Sequence, residues 1–393
     1  MSHFDAIVLG AGAAGLMCAF VAGQRGRRVL LLDHADAPGA KILISGGGRC
    51  NFTNTGTEPS RFFSANPHFA RSALSRYTQH DFIALVEKHR IPYHERTLGQ
   101  LFCDGSARAI LDLLLRECEA GGVDMRLRHR VVDVSRADAF RVETDRGTFT
   151  APALVLATGG LSIPKMGATG LSLEIARRFG LPLVETRPAL VPLTFGEADL
   201  ALMRPISGVS LPVEARVGKA RFREAMLFTH RGLSGPAILQ VSTPWRPGDA
   251  VTLDLMPDAD ATAWLLARKE ERPRASLHTV LAERMPQRLA SALGTVRLAA
   301  HARPMGELGN KALKEVAALL KGMALTPTGT EGYAKAEVMA GGVDTAALSS
   351  QTLAAKEVPG LHVIGEAVDV TGWLGGYNFQ WAWSSGWCAG MSV

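Results

Sequence analysis

The 393-residue sequence predicts an α/β fold, and three observations support this prediction. Short, continuously apolar runs recur along the chain, as expected for parallel strands that are buried on both faces. A glycine-rich turn follows the first run and opens an apolar helix, which starts a strand-turn-helix-strand unit. A long central stretch differs, because prolines divide it into short strand-like segments. We therefore expect one unit that is interrupted by a second.

The boundaries follow from where these patterns change. The apolar runs are Ala6–Leu9, Ala153–Ala157 and Leu361–Ile364. The change after about Pro188 and the return of glycine-rich sequence near 335 place the α/β domain at residues 1–188 and 335–393. The insert then has a β-rich part at 189–258, strand-like over 190–256. A helical segment follows at 259–334, with a charged break at Arg268–Arg274.

The first element is a strand followed by a Gly-x-Gly-x-x-Gly turn and a helix that runs to about Gln24. Gly10 permits the tight turn, Gly12 lets the backbone approach a pyrophosphate, and Gly15 lets the helix pack close to the strand. The N–H groups of the helix start, including those of Ala13 and Ala14, favour phosphate binding. This context predicts a dinucleotide site.

The second strand, 28–32, ends on Asp33, where a carboxylate can accept hydrogen bonds from both ribose hydroxyls. A carboxylate there would repel a 2′-phosphate, so the nucleotide is FAD or NAD rather than NADP. Two further glycine-containing segments follow the later apolar runs, at 157–160 and 365–369. These additional approaches to the sheet favour FAD.

The other elements are read from periodicity and turn residues. A Gly/Ser/Asn-rich loop spans 45–54, helical patterns cover 67–89 and 106–120, and a final helix covers 377–389. Segments 126–134, 139–144 and 147–151 alternate like the strands of a small antiparallel meander. In the final helix, we expect Trp381, Trp383 and Trp387 to pack in the core.

Composition excludes several classes of protein. The five cysteines show neither CxxC nor metal-ligand spacing, and the eleven histidines form no HxxxH or HxH pattern, so we expect no disulfide framework and no metal site. No apolar run has the roughly 18–20 residues of a membrane span. With no recognisable signal peptide, we expect a cytoplasmic protein.

The net charge of +6 is concentrated at residues 261–325, which are rich in Lys and Arg. Such a surplus is typical either of a solvated helical face or of a surface that binds a phosphate-rich partner such as RNA. The sequence leaves both readings open.

Three motifs resemble a known family. They are Lys41–Asn54 (KILISGGGRCNFTN), Phe228–Ala237 (FTHRGLSGPA) and Asp369–Gln380 (DVTGWLGGYNFQ). Together they are similar to the HI0933-like, or aminoacetone oxidase-like, family of bacterial FAD-binding flavoproteins. The resemblance runs nearly from end to end, with one departure at Glu337–Met339, where many members have Gln-Val-Thr. It implies a glutathione-reductase-type, Rossmann-like FAD domain with an inserted β-rich and helical domain.

The resemblance and the chemistry of the motifs together predict the cofactor contacts. Successive amides at 45–48 and the cation of Arg49 suit a phosphate or the flavin edge. Glu366 and Asp369 are expected at a cofactor hydroxyl, and the start of the last helix near negative charge on the flavin. The expected contacts beyond the first motif are Lys41, Ser45, Gly46, Gly47, Gly48, Arg49, Cys50, Asn51, Ala157, Thr158, Gly159, Gly160, Gly365, Glu366, Asp369, Gly375, Gly376, Asn378 and Phe379.

Three residues are candidates for catalysis. Cys103 could donate a proton, and the alternative is a buried apolar role. His230 could act as a base near the substrate, or its side chain could hydrogen-bond the backbone of its loop. Tyr377 could hydrogen-bond flavin or substrate.

The resemblance implies an FAD-dependent oxidoreductase, and family members include amine oxidases, steroid double-bond reductases and a ribosomal RNA dihydrouridine synthase. GQLFCD at 99–104 and WLGGYNFQWAWSS at 373–385 resemble the last branch. The implied reaction is reduction of an activated C=C, such as that of uridine in ribosomal RNA. A hydrogen-peroxide-producing amine oxidase and a non-catalytic RNA-binding flavoprotein remain alternatives. No second glycine motif of this kind occurs, so we expect NAD(P)H to bind transiently.

Overall fold

A computed structural model describes residues 2–393 as two compact units. Unit 1 contains the residues up to Arg187 together with Val338–Val393, and unit 2 contains Pro188–Glu337. Parallel strands with covering helices make unit 1 an α/β structure, so the predicted fold class is confirmed.

The α-helices follow one another along the chain in this order: α1 Ala13–Gln24, α2 Ala40–Gly48, α3 Ala70–Arg76, α4 Gln79–Lys88, α5 Arg108–Ala120, α6 Leu171–Arg178, α7 Glu197–Met203, α8 Pro236–Ser242, α9 Ala261–Glu271, α10 Leu277–Leu281, α11 Gln287–Val296, α12 Asn310–Lys321 and α13 Tyr377–Gly390.

The strands are β1 Ser2–His3, β2 Ala6–Leu9, β3 Val29–Leu32, β4 Asn51–Asn54, β5 Phe62–Phe63, β6 Tyr93–Glu95, β7 Gln100–Cys103, β8 Asp124–Arg126, β9 Val131–Arg136, β10 Phe140–Thr144, β11 Gly147–Ala151, β12 Ala153–Leu156, β13 Leu183–Ala189, β14 Leu193–Thr194, β15 Ser210–Val217, β16 Ala220–Phe228, β17 Gly232–Ser234, β18 Val251–Asp254, β19 Met323–Leu325, β20 Gly329–Thr330, β21 Val338–Val343, β22 Leu361–Val363 and β23 Thr371–Gly372.

A parallel five-stranded sheet in the order β22-β12-β2-β3-β8 is the frame of unit 1. Every residue of four of its strands, β22, β12, β2 and β3, is buried, which explains why these segments are apolar except at His362. Because parallel strands end at the same edge, the segments after β2, β3, β12 and β22 are brought to one side of the sheet. These segments begin with Gly10, Asp33, Ala157 and Ile364.

The first and last helices pack against each other through small residues. A Cβ added at Gly386 would lie 2.5 Å from the carbonyl oxygen of Ala14, and one at Gly390 would lie 2.7 Å from that of Cys18. The two backbones approach closely only because these positions lack side chains. The return segment 338–393 therefore completes the same core that the first helix begins.

Four smaller sheets contain residues of unit 1. They are β4-β7-β6, β23-β5, β13-β21 and β1-β11-β10-β9. Strands β9, β10 and β11 form the predicted meander, but β9 begins at Val131 rather than 126. The segment at 124–126 is instead β8, which pairs with β3 at the edge of the parallel sheet.

Unit 2 contains a seven-stranded sheet in the order β19-β18-β15-β16-β17-β14-β20, antiparallel throughout. The prediction that 190–256 is strand-like is wrong over α7 and α8. Pro236 occupies the first turn of α8, a position in which proline starts a helix rather than interrupting a strand. The charged break is also shorter than predicted, because α9 continues through Arg268 to Glu271.

Within residues 2–393, none of the helices is long and apolar enough to cross a membrane.

Candidate active site

The glycines of the first turn bring β2, β12 and α1 together at the sheet edge. Gly10 has φ +109°, and a Cβ there would lie 2.5 Å from the carbonyl oxygen of Ala157. A Cβ at Gly15 would lie only 1.9 Å from the carbonyl oxygen of Gly10. Any side chain at either position would therefore separate the helix from the sheet.

Gly12 differs from its two neighbours, because a Cβ there would meet no atom within 4 Å. Gly12 is the N-cap of α1, and no side chain caps that helix end. The N–H groups of the first turn, at Ala13 and Ala14, thus face the space that a side chain at Gly12 would fill. An open surface of backbone donors at a helix start fits a pyrophosphate.

Asp33 lies at the end of β3 and fixes the turns around it. Its carboxylate accepts a hydrogen bond from the Ala11 N–H at 2.7 Å and another from the Ala35 N–H at 2.8 Å. Its side chain is 16% exposed. A carboxylate has about four lone-pair positions, so acceptor capacity remains for a ribose hydroxyl. The ribose contact itself stays a prediction.

Residues 157–160 follow β12 and form a second part of the candidate cofactor site. The hydroxyl of Thr158 lies 2.7 Å from that of Ser172, which also accepts a hydrogen bond from the Thr158 N–H at 3.1 Å. Gly159 has φ +78°, and a Cβ at Gly160 would lie 2.9 Å from Glu366 Oε1. Glycine at 160 therefore allows the acidic side chain to approach the strand end.

Glu366 is the centre of a part-buried polar network. Lys41 Nζ lies 2.6 Å from Glu366 Oε2, and it also donates to Ser162 Oγ at 2.6 Å. Glu366 Oε1 accepts from Ser162 Oγ at 2.7 Å and from the Met339 N–H at 2.9 Å. Burial alone would raise the pKa of Glu366, but the Lys41 ammonium and these hydrogen bonds hold that pKa below its ordinary value. The carboxylate stays ionised and ties four chain segments together.

The Ser45–Gly48 segment is a kink within α2 rather than a simple loop. Ser45 has φ −64° and ψ 148°, and Gly46 and Gly47 have φ +57° and +66°. Gly46 packs on Phe102, since a Cβ there would lie 2.8 Å from that ring. The turn exposes the backbone at Gly46 and Gly47.

Arg49 and Cys50 complete this turn. Arg49 is exposed and forms no ion pair with any residue in the described chain 2–393. Cys50 is buried and has φ +51°. The exposed cation and the adjacent exposed backbone suit an anionic group.

The loop before α13 forms a further part of the candidate cofactor site. Gly376 has φ +97°, and a Cβ there would lie 2.4 Å from the carbonyl oxygen of Thr53. Asn54 Nδ2 donates to the carbonyl of Gly375 at 2.9 Å, and the side-chain amide of Asn51 pairs with that of Gln100 at 3.0 Å. The structure thus brings Asn51, Gly375 and Gly376 together, and the cofactor contact predicted for each of them stays a prediction.

Further contacts hold the segment 369–379 in place, and they are made by Asn378, Phe379 and Asp369. The Asn378 amide bonds both the N–H and the carbonyl of Gly372, at 2.8 and 2.9 Å. Phe379 stacks on the buried Trp383 with 5.5 Å between ring centroids. Asp369 is 4% exposed and accepts from the Ala65 N–H at 2.8 Å, and its burial raises its pKa. Direct cofactor contacts for these three residues stay predictions.

Gly365 begins the segment after β22 and lies against α1. It has φ +64°, and a Cβ there would lie 2.9 Å from that of Ala14. Its N–H donates to Ser385 Oγ at 3.0 Å and its carbonyl accepts from Trp381 Nε1 at 2.9 Å. Trp381 is 1% exposed and Trp383 is fully buried, so both belong to the core.

The three catalytic candidates lie in different settings. Cys103 in β7 is fully buried, and burial raises the pKa of its thiol to about 11. Tyr377 is 6% exposed at the start of α13, with its hydroxyl near Gly56 and its ring edge-on to Phe62 at 6.1 Å. His230 is exposed in the turn between β16 and β17 of unit 2. All three roles stay predictions, and the burial of Cys103 equally suits packing.

Sequence reasoning did not identify Ser162, Asn54 or Gln100 as parts of this site. Ser162 joins Lys41 to Glu366, while Asn54 and Gln100 hold the Gly375 turn. Asn54 was visible as the last residue of the KILISGGGRCNFTN motif. The other two carry no local signal, because their partners are far away in the sequence.

These segments of the candidate cofactor site together define a class of protein. The uncapped N-terminus of α1 at Gly12 fits the pyrophosphate of a dinucleotide. The glycine turns at 45–48 and 375–376 extend the site beyond the space that one nucleotide would need. Together with the family match, this makes the chain an FAD-dependent oxidoreductase. It belongs to the HI0933-like family, because the model described as HI0933-like protein Rossmann domain matches residues 4–392.

Curated relatives match this chain over its full length, and a solved structure shares its fold. A protein from Escherichia coli described as ribosomal RNA dihydrouridine synthase is 49% identical over 404 residues, covering 100% of this chain and 98% of the relative. A Haemophilus influenzae protein with the same description is 43% identical over 401 residues, covering 100% and 99%. A 3-ketosteroid-Δ4-(5α)-dehydrogenase from Rhodococcus jostii shares the fold, with a TM-score of 0.51, 15% identity, and coverage of 99% and 96%.

Proposed function

We propose that this protein reduces uridine to dihydrouridine in ribosomal RNA. The observation that carries the proposal is the 49% identity, across essentially the full length of both chains, to a relative described as ribosomal RNA dihydrouridine synthase. The cofactor class supports it, because saturating the C5=C6 bond of uracil is a two-electron reduction.

The reaction adds a hydride to C6 and a proton to C5, so that one C=C bond of the ring is lost. Bound FAD supplies the hydride chemistry. Reduction of each uridine consumes two electrons, and we infer that transiently bound NAD(P)H restores them. The protein has to bind the cofactor, orient the base, and hold one proton near C5.

Residues of unit 1 are suited to these tasks. The first turn of α1 at Gly12 would hold the pyrophosphate, and Asp33 would hold the ribose. The N-terminus of α13, which no side chain caps, would stabilise negative charge at the flavin pyrimidine edge. Cys103 is a candidate proton donor because its thiol is protonated at neutral pH, and burial raises the pKa of that thiol further.

Unit 2 offers a basic surface for the RNA backbone. Several cations in 261–325 are already paired, among them Arg272 with Glu283 and Arg297 with Asp199. Others are exposed and form no ion pair with an acid of the described chain, and four of these are Arg274, Arg303, Lys311 and Lys314. We name these four the basic cluster.

Hydrogen bonds link the segments that carry the basic cluster. The Met305 N–H donates to the Ala275 carbonyl at 2.9 Å, which joins the segment that carries Arg274 to the segment that carries Arg303. Lys269 Nζ donates to Asn310 Oδ1 at 3.0 Å, which links α9 to the start of α12, where Lys311 lies. A group of unpaired cations of this kind favours a polyanionic substrate.

The test is to incubate purified protein, FAD and NADPH with deproteinised ribosomal RNA from cells that lack the gene. Mass spectrometry should then detect a gain of two hydrogens in one uridine, and that modification should be missing from the same RNA before incubation. No gain in any ribosomal RNA would contradict the proposal. Hydrogen peroxide formed with an amine substrate would instead indicate an amine oxidase, and RNA binding without reduction would indicate a non-catalytic flavoprotein.

A further inference from the structure

The tip of the β6–β7 hairpin holds an exposed apolar side chain in a strained conformation. Leu98 has φ +61° and ψ 30°, the left-handed region that leucine rarely occupies. Its side chain is 63% exposed, so packing within the described chain does not compensate for the strain. Strain of this kind persists where surrounding contacts impose it, and it is concentrated at functional sites.

The surrounding contacts impose it here. The Arg96 N–H donates to the Gln100 carbonyl at 2.8 Å and closes the hairpin. The Thr55 N–H donates to the Gly99 carbonyl at 2.8 Å, and Asn54 Nδ2 donates to the Leu98 carbonyl at 3.0 Å. The tip is therefore fixed in place, and its leucine side chain is presented outward.

The same contacts place Leu98 at the edge of the candidate active site. The Asn54 nitrogen that bonds the Leu98 carbonyl also donates to the Gly375 carbonyl at 2.9 Å. One side-chain amide thus bridges the hairpin tip and the turn that begins α13. Gln100 packs on Gly375 as well, since a Cβ at that glycine would lie 2.9 Å from its side chain.

One exposed arginine lies on the hairpin tip, and a second follows the Gly46 kink. The Arg96 guanidinium lies 4.6 Å from the centroid of the Phe102 ring, and Gly46 of the kink contacts the same ring. Arg49 follows that kink, and neither arginine forms an ion pair with a carboxylate of residues 2–393. Glu95 precedes Arg96 in sequence and is also exposed, but the two side chains do not form an ion pair. An exposed apolar side chain, with arginines on the hairpin and on the adjoining kink that are not paired with a carboxylate, fits a base step flanked by phosphates.

We propose that Leu98 is an apolar wedge that enters the base stack of the RNA substrate beside the target uridine and holds that uridine unstacked at the cofactor edge. The inference rests on the proposed function, because it needs an RNA substrate. A base inside a helical stack cannot present C5 and C6 to a buried cofactor, so it has to leave the stack. A rigidly held leucine can fill the vacated space, as apolar wedges do in other nucleic-acid complexes.

The test compares Leu98→Gly with wild type on deproteinised ribosomal RNA from cells that lack the gene. Glycine adopts a positive φ freely, so the variant should unfold at the same temperature or a higher one and keep its FAD. We expect kcat/KM for dihydrouridine formation to fall roughly 10- to 100-fold, the scale of burying one leucine side chain. Leu98→Met should recover most of the activity because it restores an apolar side chain.

Two controls separate the wedge from general effects. Val132→Ala removes an apolar side chain that is 66% exposed on β9, and Arg90→Gly relieves another positive φ, of 54°. Both should retain wild-type activity.

A second measurement uses an RNA duplex with 2-aminopurine next to a uridine. Wild-type protein should raise the 2-aminopurine fluorescence by unstacking it, and Leu98→Gly should bind without that rise. If wild type forms dihydrouridine and Leu98→Gly does so within twofold, the wedge is wrong and the proposed function stands. If wild type forms none, the proposed function fails and the wedge fails with it.

Discussion

Gly12→Val separates cofactor binding from folding more cleanly than any other change in the first turn. Gly12 has φ −86° and ψ −172°, an extended conformation that valine adopts without strain. Its Cβ would meet no protein atom within 4 Å. The only expected cost to the apoprotein is the weaker N-cap preference of valine, which is at most about 1 kcal/mol.

The effect on FAD should be much larger. The valine side chain would occupy the space that faces the uncapped N–H groups of α1, where the pyrophosphate is expected. Losing two hydrogen bonds to a charged group costs about 3–6 kcal/mol. At about 1.4 kcal/mol per decade, that weakens binding by roughly 10²–10⁴-fold.

The assay is titration of apoprotein with FAD, followed by flavin absorbance and calorimetry, with circular dichroism to confirm folding. Gly15→Ala is the matched control. Its Cβ would lie 1.9 Å from the Gly10 carbonyl oxygen, so this smaller side chain should destabilise the apoprotein itself. A folded Gly12→Val protein that binds FAD as tightly as wild type would refute the placement of the pyrophosphate.

Further predictions concern the ribose contact, a buried carboxylate, the candidate proton donor and the basic cluster. Asp33→Ala should weaken FAD binding by about 1.5–3 kcal/mol in a titration, while the flavin spectrum at saturation stays unchanged. Glu117 accepts hydrogen bonds from Gln24, Lys88 and His89, which outweigh burial and lower its pKa to about 2. Because this folded-state pKa is depressed, its stabilisation is complete above the unfolded value near 4.3 and is lost as pH falls towards 2. The wild-type advantage over Glu117→Gln in thermal unfolding should shrink across that window by on the order of 2 kcal/mol. Cys103→Ala should slow uridine reduction roughly 10²–10⁴-fold with NADPH still reducing the flavin if Cys103 is the acid, whereas unchanged turnover would leave it a packing residue. Changing all members of the basic cluster to Glu should weaken RNA binding and reduce its salt slope by about 0.7–0.9 per lost phosphate contact, without changing FAD content.

Local chemistry made the core of the nucleotide site predictable from the sequence. The buried strands are almost entirely apolar because both faces of the sheet are covered, and the glycine at 15 is required by a backbone approach within one turn. Gly376 was also predictable, since a motif placed it before the last helix. Each of these signals is a local sequence pattern.

Contacts between distant segments were not predictable. Lys41 and Glu366 are 325 positions apart, and nothing in either motif indicates that they form an ion pair. The left-handed conformation of Leu98 was also invisible, because the sequence shows leucine where such a turn normally has glycine. The short helices α7 and α8 were missed because seven residues are too few to establish a helical period.

The pairing of α1 with α13 has a consequence for biosynthesis. Residues 188–337 are translated before the segment that supplies β22 and α13. While unit 2 is synthesised, α1 therefore lacks its packing partner α13, and the edge of β12 lacks its neighbouring strand β22. At about 5–20 residues per second, the segment 338–393 needs roughly 3 to 11 s more. During that interval the nascent chain carries an apolar first helix whose residues 14–23 will later be buried. Cofactor capture that needs the segment 338–393 is therefore a late event in synthesis.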